Sequence, residues 1–124
     1  GTLLIGVSDD GSMHGLSSDY DSLRKPNRGD RDVFEQHLAS IISTSMGEAA
    51  ATSVSVQIHN VDDQDLCRVH VRPSGFPVEA KVTVVDKQGQ QSKKTAFYVR
   101  VANSTRELND EQKAKYVPQR WPSA

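Results

Sequence analysis

Two consecutive runs in the middle of the chain alternate apolar and polar residues with a period of two. Val54, Val56 and Ile58 alternate with Ser53, Ser55, Gln57 and His59. After Asp62-Asp63-Gln64-Asp65 the alternation resumes, with Cys67, Val69 and Val71 set against Arg68, His70 and Arg72. Such a pattern demands strands with one face buried and the other wet. The buried face needs an apolar cover, and a candidate stands just upstream. Val33, Phe34, His37, Leu38, Ile41, Ile42 and Met46 recur at helical period as one stripe. Asp30 or Asp32 can cap this helix and Gly47 can stop it, while Glu35, Gln36 and Ser40 face out. His37 lies on or beside the stripe and reads as a partly buried, satisfied histidine. Cys67 reads as a small core residue. A helix laid on a sheet makes the chain α+β.

The remainder extends this plan. Leu3, Leu4, Ile5 and Val7 are so continuously apolar that they read as a central strand covered on both sides. Asp10-Gly11 is a tight-turn pair, and Ser12 to Leu16 is a short return strand. Residues 17–31 are polar and read as a loop with one helical turn around Tyr20 and Leu23. Two prolines and a glycine over Pro73-Ser74-Gly75-Phe76-Pro77 break the sheet. Val78 to Val85 and Ala96 to Val101 are the next strands, joined by a polar tip over 86–94, and the second of them is read as the last. Asn109 can cap a final helix that Tyr116 and Val117 dock and Pro118 ends. The expected fold is α+β: a mixed, mostly antiparallel sheet of five or six strands, a long amphipathic helix over 32–46 and a short C-terminal helix.

The 124 residues suit one domain, and 35% hydrophobic with 25% charged is ordinary for a globular chain. A net charge of −1 argues against a histone-type basic binder and leaves room for a local basic patch. No apolar run approaches the roughly 20 residues of a membrane helix, so no membrane partner is expected. A single cysteine suits a reducing, cytoplasmic setting. The chain opens on Gly1 and enters a strand at once, which suggests a fragment of a longer protein. There is no internal repeat, phosphate-binding glycine loop, dinucleotide fingerprint or paired Cys/His zinc spacing, and nothing selects one serine for a catalytic triad.

Several residues carry chemistry. Arg68, His70 and Arg72, about 7 Å apart on a wet face, can track phosphates or can face acids and water. Arg24, Lys25, Arg28 and Arg31 form a second basic group with the same two readings. Asn103, Ser104 and Thr105 can cap a turn or bind a ligand, and Arg106 offers a planar fork for phosphate or carboxylate. Turn chemistry accounts for Asp9 and Asp10; a catalytic or metal-binding carboxylate, with His14 beside them, is the other reading.

The stretch from Gly1 to Leu16 and the stretch Phe97-Tyr98-Val99-Arg100-Val101-Ala102-Asn103-Ser104-Thr105-Arg106-Glu107-Leu108 together resemble the Schlafen AlbA-type domain. In that family a glycine-led apolar strand ends in acids, a helix and a β-meander follow, and the domain closes on a motif like the second stretch. The resemblance covers residues 1–121 and leaves 122–124 as a tail. It implies an α+β domain fused to others, contact with nucleic acid (DNA or RNA) and, in Schlafen-type members, RNA cleavage by clustered carboxylates. It also implies that Asp9 is the third catalytic acid, the other two belonging to an upstream helix. A divalent metal near Asp9 is therefore expected only in a longer protein, and this chain by itself is expected to lack nuclease activity. The resulting expectation is a nucleic-acid-binding module of a larger transcription-regulatory or defence protein. Arg68, Arg72, Arg100 and Arg106 would contact phosphate, with Asn103, Ser104 and Thr105 as positioning groups. The alternatives are part of a metal-dependent endoribonuclease, and an interaction or homodimerisation domain that uses an exposed Trp121 tail.

Overall fold

The computed structural model describes residues 1–122. Of the expected tail, residues 123–124 lie outside the described residues. The elements in order are β1 (Thr2–Ile5), α1 (Ser17–Leu23), α2 (Asp30–Met46), α3 (Glu48–Ala51), β2 (Val54–Val61), β3 (Gln64–Val71), β4 (Ala80–Val85), β5 (Gln91–Val101), β6 (Ser104–Leu108) and α4 (Asp110–Arg120). The class is α+β, as the patterning indicates. The strands divide between two three-stranded sheets, ordered β1-β3-β2 and β4-β5-β6, and each described ladder is antiparallel. No helix among the described residues is long and apolar enough to cross a membrane.

The first sheet is built on the alternating runs. β2 and β3 close through a two-residue turn in which Asp62 and Asp63 both take positive φ, the twist that suits a hairpin. Cys67 and Val69 point into the core, where Leu16 and Phe34 meet them and Val54, Val56, Ile58, Tyr20 and Leu38 pack around. Burial pushes the Cys67 thiol up, as befits a core cysteine. The opposite face, with Arg68, His70, Ser55 and Gln57, is left without a covering helix. α2 reaches both sheets, touching β2 and β4.

Several expectations change on the structure. β1 is an edge strand, not a covered central one, and Leu3 and Leu4 stay 58% and 47% exposed. The strand also stops early. Gly6 has φ +99, and its carbonyl accepts from both His14 and Gly15 N–H groups at 2.8 Å, so only a single Val7–Met13 bridge remains of the return strand. α2 begins at Asp30 with Gly29 as its N-cap. Asp30 and Asp32 lie in its first turn, where they favour the helix dipole without capping. Gly47 does end it, donating its N–H to Ser43 O. His37 and Ile41 are exposed, while Val33, Phe34 and Ile42 of the stripe are buried and Leu38 packs against the core.

One polar cluster ties the helices to the hairpin tip. The Asp65 carboxylate accepts from Tyr20 Oη (2.7 Å), Arg31 Nε (2.9 Å), Arg31 Nη2 (2.7 Å) and Asn60 Nδ2 (3.0 Å). The Arg31 guanidinium, then the Tyr20 hydroxyl, hold this carboxyl well below the ordinary range, against a smaller opposing effect of burial. Tyr20 is pushed up by its own burial and by the same carboxylate.

Two predictions follow from this packing. An added Cβ at Gly6 would lie 3.3 Å from Gly15 backbone and from Leu16, in a conformation L-residues disfavour. Gly6→Ala should therefore lower unfolding free energy by about 2 kcal/mol in a urea titration. Asp65→Asn should cost about 2 kcal/mol at pH 7 by losing charged hydrogen bonds. Because the folded Asp65 pKa is depressed, the unfolded chain binds the extra proton. Its contribution is complete above the unfolded aspartate pKa of about 3.9 and fades as pH falls below it. Variant and parent should converge on acidification.

Candidate functional site

β5 pairs with β4 through Ala96 and with β6 from Phe97 onward. On the side where β4 is missing, residues 97–100 face the connection that contains Pro73, Ser74 and Phe76. A groove of about 490 Å³ opens there, bounded on its other side by α4. The sequence places α4 firmly. Asn109 accepts from the Gln112 N–H and the Gln112 side chain accepts from the Asn109 N–H, a complete capping box. Tyr116 packs on Phe97 with ring centres 5.9 Å apart, and Trp121 meets Tyr116 edge-on at 6.1 Å. Pro118 does not end this helix, which runs to Arg120. Pro118 removes the N–H that would bond Ala114 O, but the ladder resumes beyond it, where Trp121 N–H bonds Val117 O. Nor is Trp121 an exposed tail: it is half-buried, and its Nε1 donates to Ser74 O at 2.9 Å.

The groove is cationic. Arg72, Arg100 and Arg120 line it, and among the described residues no carboxylate does. Arg100 Nη1 donates to Thr105 Oγ1 at 2.8 Å, so Thr105 holds that guanidinium in place. Arg120 lies over the Trp121 ring, 4.9 Å from its centre. Arg72 donates to Ser55 Oγ at 2.9 Å and to Thr52 O. Ser55 in turn lines a shallow depression with Gln57, Arg68 and His70. Arg72 thus joins two features, the groove and the open face of β3, into one strip. Among the described residues none of these four arginines forms an ion pair.

The other sequence-selected residues fall elsewhere. Arg106 pairs across from Val99, while Arg100 pairs across from Thr105, so the two arginines project from opposite faces of the second sheet. Arg106 Nε donates to Ser104 Oγ at 3.3 Å, and Asn103 sits in the β5–β6 turn. The polar stretch after Val101 is therefore a sixth strand, missed because a short exposed edge strand shows no apolar alternation. Most of the loop basics are neutralised: Arg24 by Asp21 and Asp30, Arg28 by Asp32, Arg31 by Asp65. Asp9 is exposed in the Ser8–Ser12 turn, beside Asp10, whose carboxyl is lowered by bonds from the Ser12 hydroxyl and N–H. This turn and the groove are at opposite ends of the first sheet. Gly1 and Val71 border the groove, whereas the loop after Gly6 packs near Gln64, and the eight residues of β3 span roughly 24 Å. Among the described residues no three His, Cys, Asp or Glu side chains gather as metal ligands. Asp9 alone does not fit the divalent ion that the resemblance implies. Sequence reasoning also missed Arg120, Phe76 and Tyr98; only the Arg120-Trp121 pair hinted at a cationic aromatic site.

The described residues thus form an α+β domain whose groove is lined by three arginines. The chain belongs to the Schlafen, AlbA_2 family, whose family model matches residues 1–109. This membership associates it with nucleic acid. No curated protein and no solved structure gives a significant match.

The Trp121 bond is testable without any ligand. Trp121→Phe should lower stability by about 1 kcal/mol through loss of the bond to Ser74 O. Arg100→Ala, whose side chain is exposed, should leave the denaturation midpoint unchanged. Far-UV circular dichroism in urea measures both.

Proposed function

We propose that this domain is a nucleic-acid-binding module of a larger cytoplasmic protein with a transcription-regulatory or defence role, and that it grips phosphates with Arg68, Arg72, Arg100 and Arg120. The observation that carries this reading is charge segregation. In a chain of net charge −1, four arginines share one strip, and among the described residues none of them forms an ion pair and no carboxylate lines the groove bounded by Arg72, Arg100 and Arg120. Thr105 and Ser55 act as positioning groups by holding Arg100 and Arg72. Arg106, with Ser104 and Asn103 at the neighbouring turn, serves a separate contact on the other face of the sheet.

A second reading has its own observation. The outer edge of β1 is unpaired, and Leu3 and Leu4 are exposed along it. Open apolar edges invite strand pairing, so a homodimer through β1 is the alternative. Sedimentation of the chain at rising concentration tests it.

The nucleic-acid reading is tested by fluorescence anisotropy with short DNA and RNA between about 50 and 200 mM salt. Four phosphate contacts should weaken binding about 100-fold across that range. Arg68→Glu and Arg100→Glu should each weaken it and reduce the salt slope by about 0.7 to 0.9. Arg106→Glu should have the smaller effect. Salt-independent binding, or affinities unmoved by the first two reversals, would refute this site.

A further inference from the structure

The aromatic residues of the chain divide cleanly. Tyr20 packs on Phe34, Phe97 on Tyr116, and Tyr116 on Trp121. The two that join no aromatic pair are Phe76 and Tyr98. Both line the groove, and they are 42% and 38% exposed. Exposed rings are unfavourable in water, and here they stand on adjoining walls among three arginines. A duplex offers phosphates and sugars to such a place and keeps its base faces stacked inside. An unpaired strand offers base faces, and stacking on an aromatic ring suits any base. The groove's volume is that of a small-molecule site, enough for single nucleotides and too small to admit a duplex.

We propose that the groove selects single-stranded nucleic acid, seating unpaired bases on Tyr98 and Phe76 while Arg72, Arg100 and Arg120 hold the flanking phosphates. This rests on the nucleic-acid reading of the same strip. A competing occupant is an extended peptide added to the free edge of β5 beyond Ala96. Backbone pairing alone would need neither the arginines nor the free rings, so the strand of nucleotides is the better fit.

The test uses the whole chain and three labelled probes: a ten-nucleotide single strand, the blunt duplex of the same sequence, and a ten-unit abasic strand with the same phosphates. The normal single strand should bind about tenfold or more tightly than the abasic strand, and more tightly than the duplex. It should also change the emission of Trp121, the chain's one tryptophan, beside the groove. Tyr98→Leu and Phe76→Leu each keep an apolar side chain and remove the aromatic face. Each should weaken the normal strand about tenfold and leave the abasic strand within about twofold. Equal binding of normal and abasic strands, or of strand and duplex, would overturn the inference while leaving the nucleic-acid reading standing. Displacement of the strand by neutral extended peptides as effectively as by unlabelled strand would make the groove a peptide site and also overturn it. Absence of salt-sensitive binding to all three probes would remove the underlying reading and the inference together.

Discussion

Where β5 exchanges one partner for another, the second sheet acquires both its shape and its opening. β5 has eleven residues, and its neighbours β4 and β6 have six and five, so the long strand is served by two short ones in succession. β4 begins only at Ala80, opposite Ala96; just before it, Glu79 pairs with Lys113 of α4, and Pro77, which the register would set opposite Val99, supplies no N–H to a ladder. The vacated edge is the floor of the groove. β6 then leads directly into the Asn109 cap, and the cap sets α4 back across Phe97. The opening of the groove and the aromatic wall descend from that exchange of partners, while Arg72 reaches the groove from the first sheet, held by Ser55 and Thr52.

Electrostatics follows from proximity more than from composition. A net charge of −1 would suggest a surface indifferent to phosphate. Some of the acids, however, pair with bases away from the groove: Asp21 and Asp30 with Arg24, Asp32 with Arg28, Glu107 with Lys94, Glu79 with Lys113. Asp65 is committed to Arg31 and Tyr20. Exposed pairs of this kind add little stability, and each is neutral as a unit. Among the described residues the arginines along β3, β5 and α4 form no ion pair, so a balanced chain carries a cationic strip.

What was legible in the sequence is what is local. The β2–β3 alternation, the helix stop at Gly47, the Asn109 cap and the core position of Cys67 depend on neighbours within a few residues. The misread parts depend on what covers them. Leu3 and Leu4 read as doubly buried, but one lies at the rim of the covered face and the other on the bare face of an edge strand. Ser104 to Leu108 looked like a ligand loop because a strand exposed along its edge has no apolar face to display. Arg100 and Arg106 looked like one site because they are close in sequence. A two-residue turn at Ala102-Asn103 fixes the register instead, pairing residue 100 with 105, and so puts 106 on the other face. The groove itself assembles the 73–78 connection, β5 and α4, and only the fold brings those together.

The strip also has a direction. From the groove, the open face of β3 carries Arg72, His70 and Arg68 in steps of about 7 Å. β3 runs antiparallel to β1, so this row descends from the Gly1 end of the sheet toward the end where β1 gives way to the Asp9 turn. A nucleic-acid strand seated in the groove and tracking the row is led toward that end of the sheet. The groove and the Asp9 turn are therefore separate features of the fold, roughly a β3 length apart. Each can be removed by substitution without disturbing the other, since neither contributes a side chain to the Leu16–Phe34–Cys67–Val69 core.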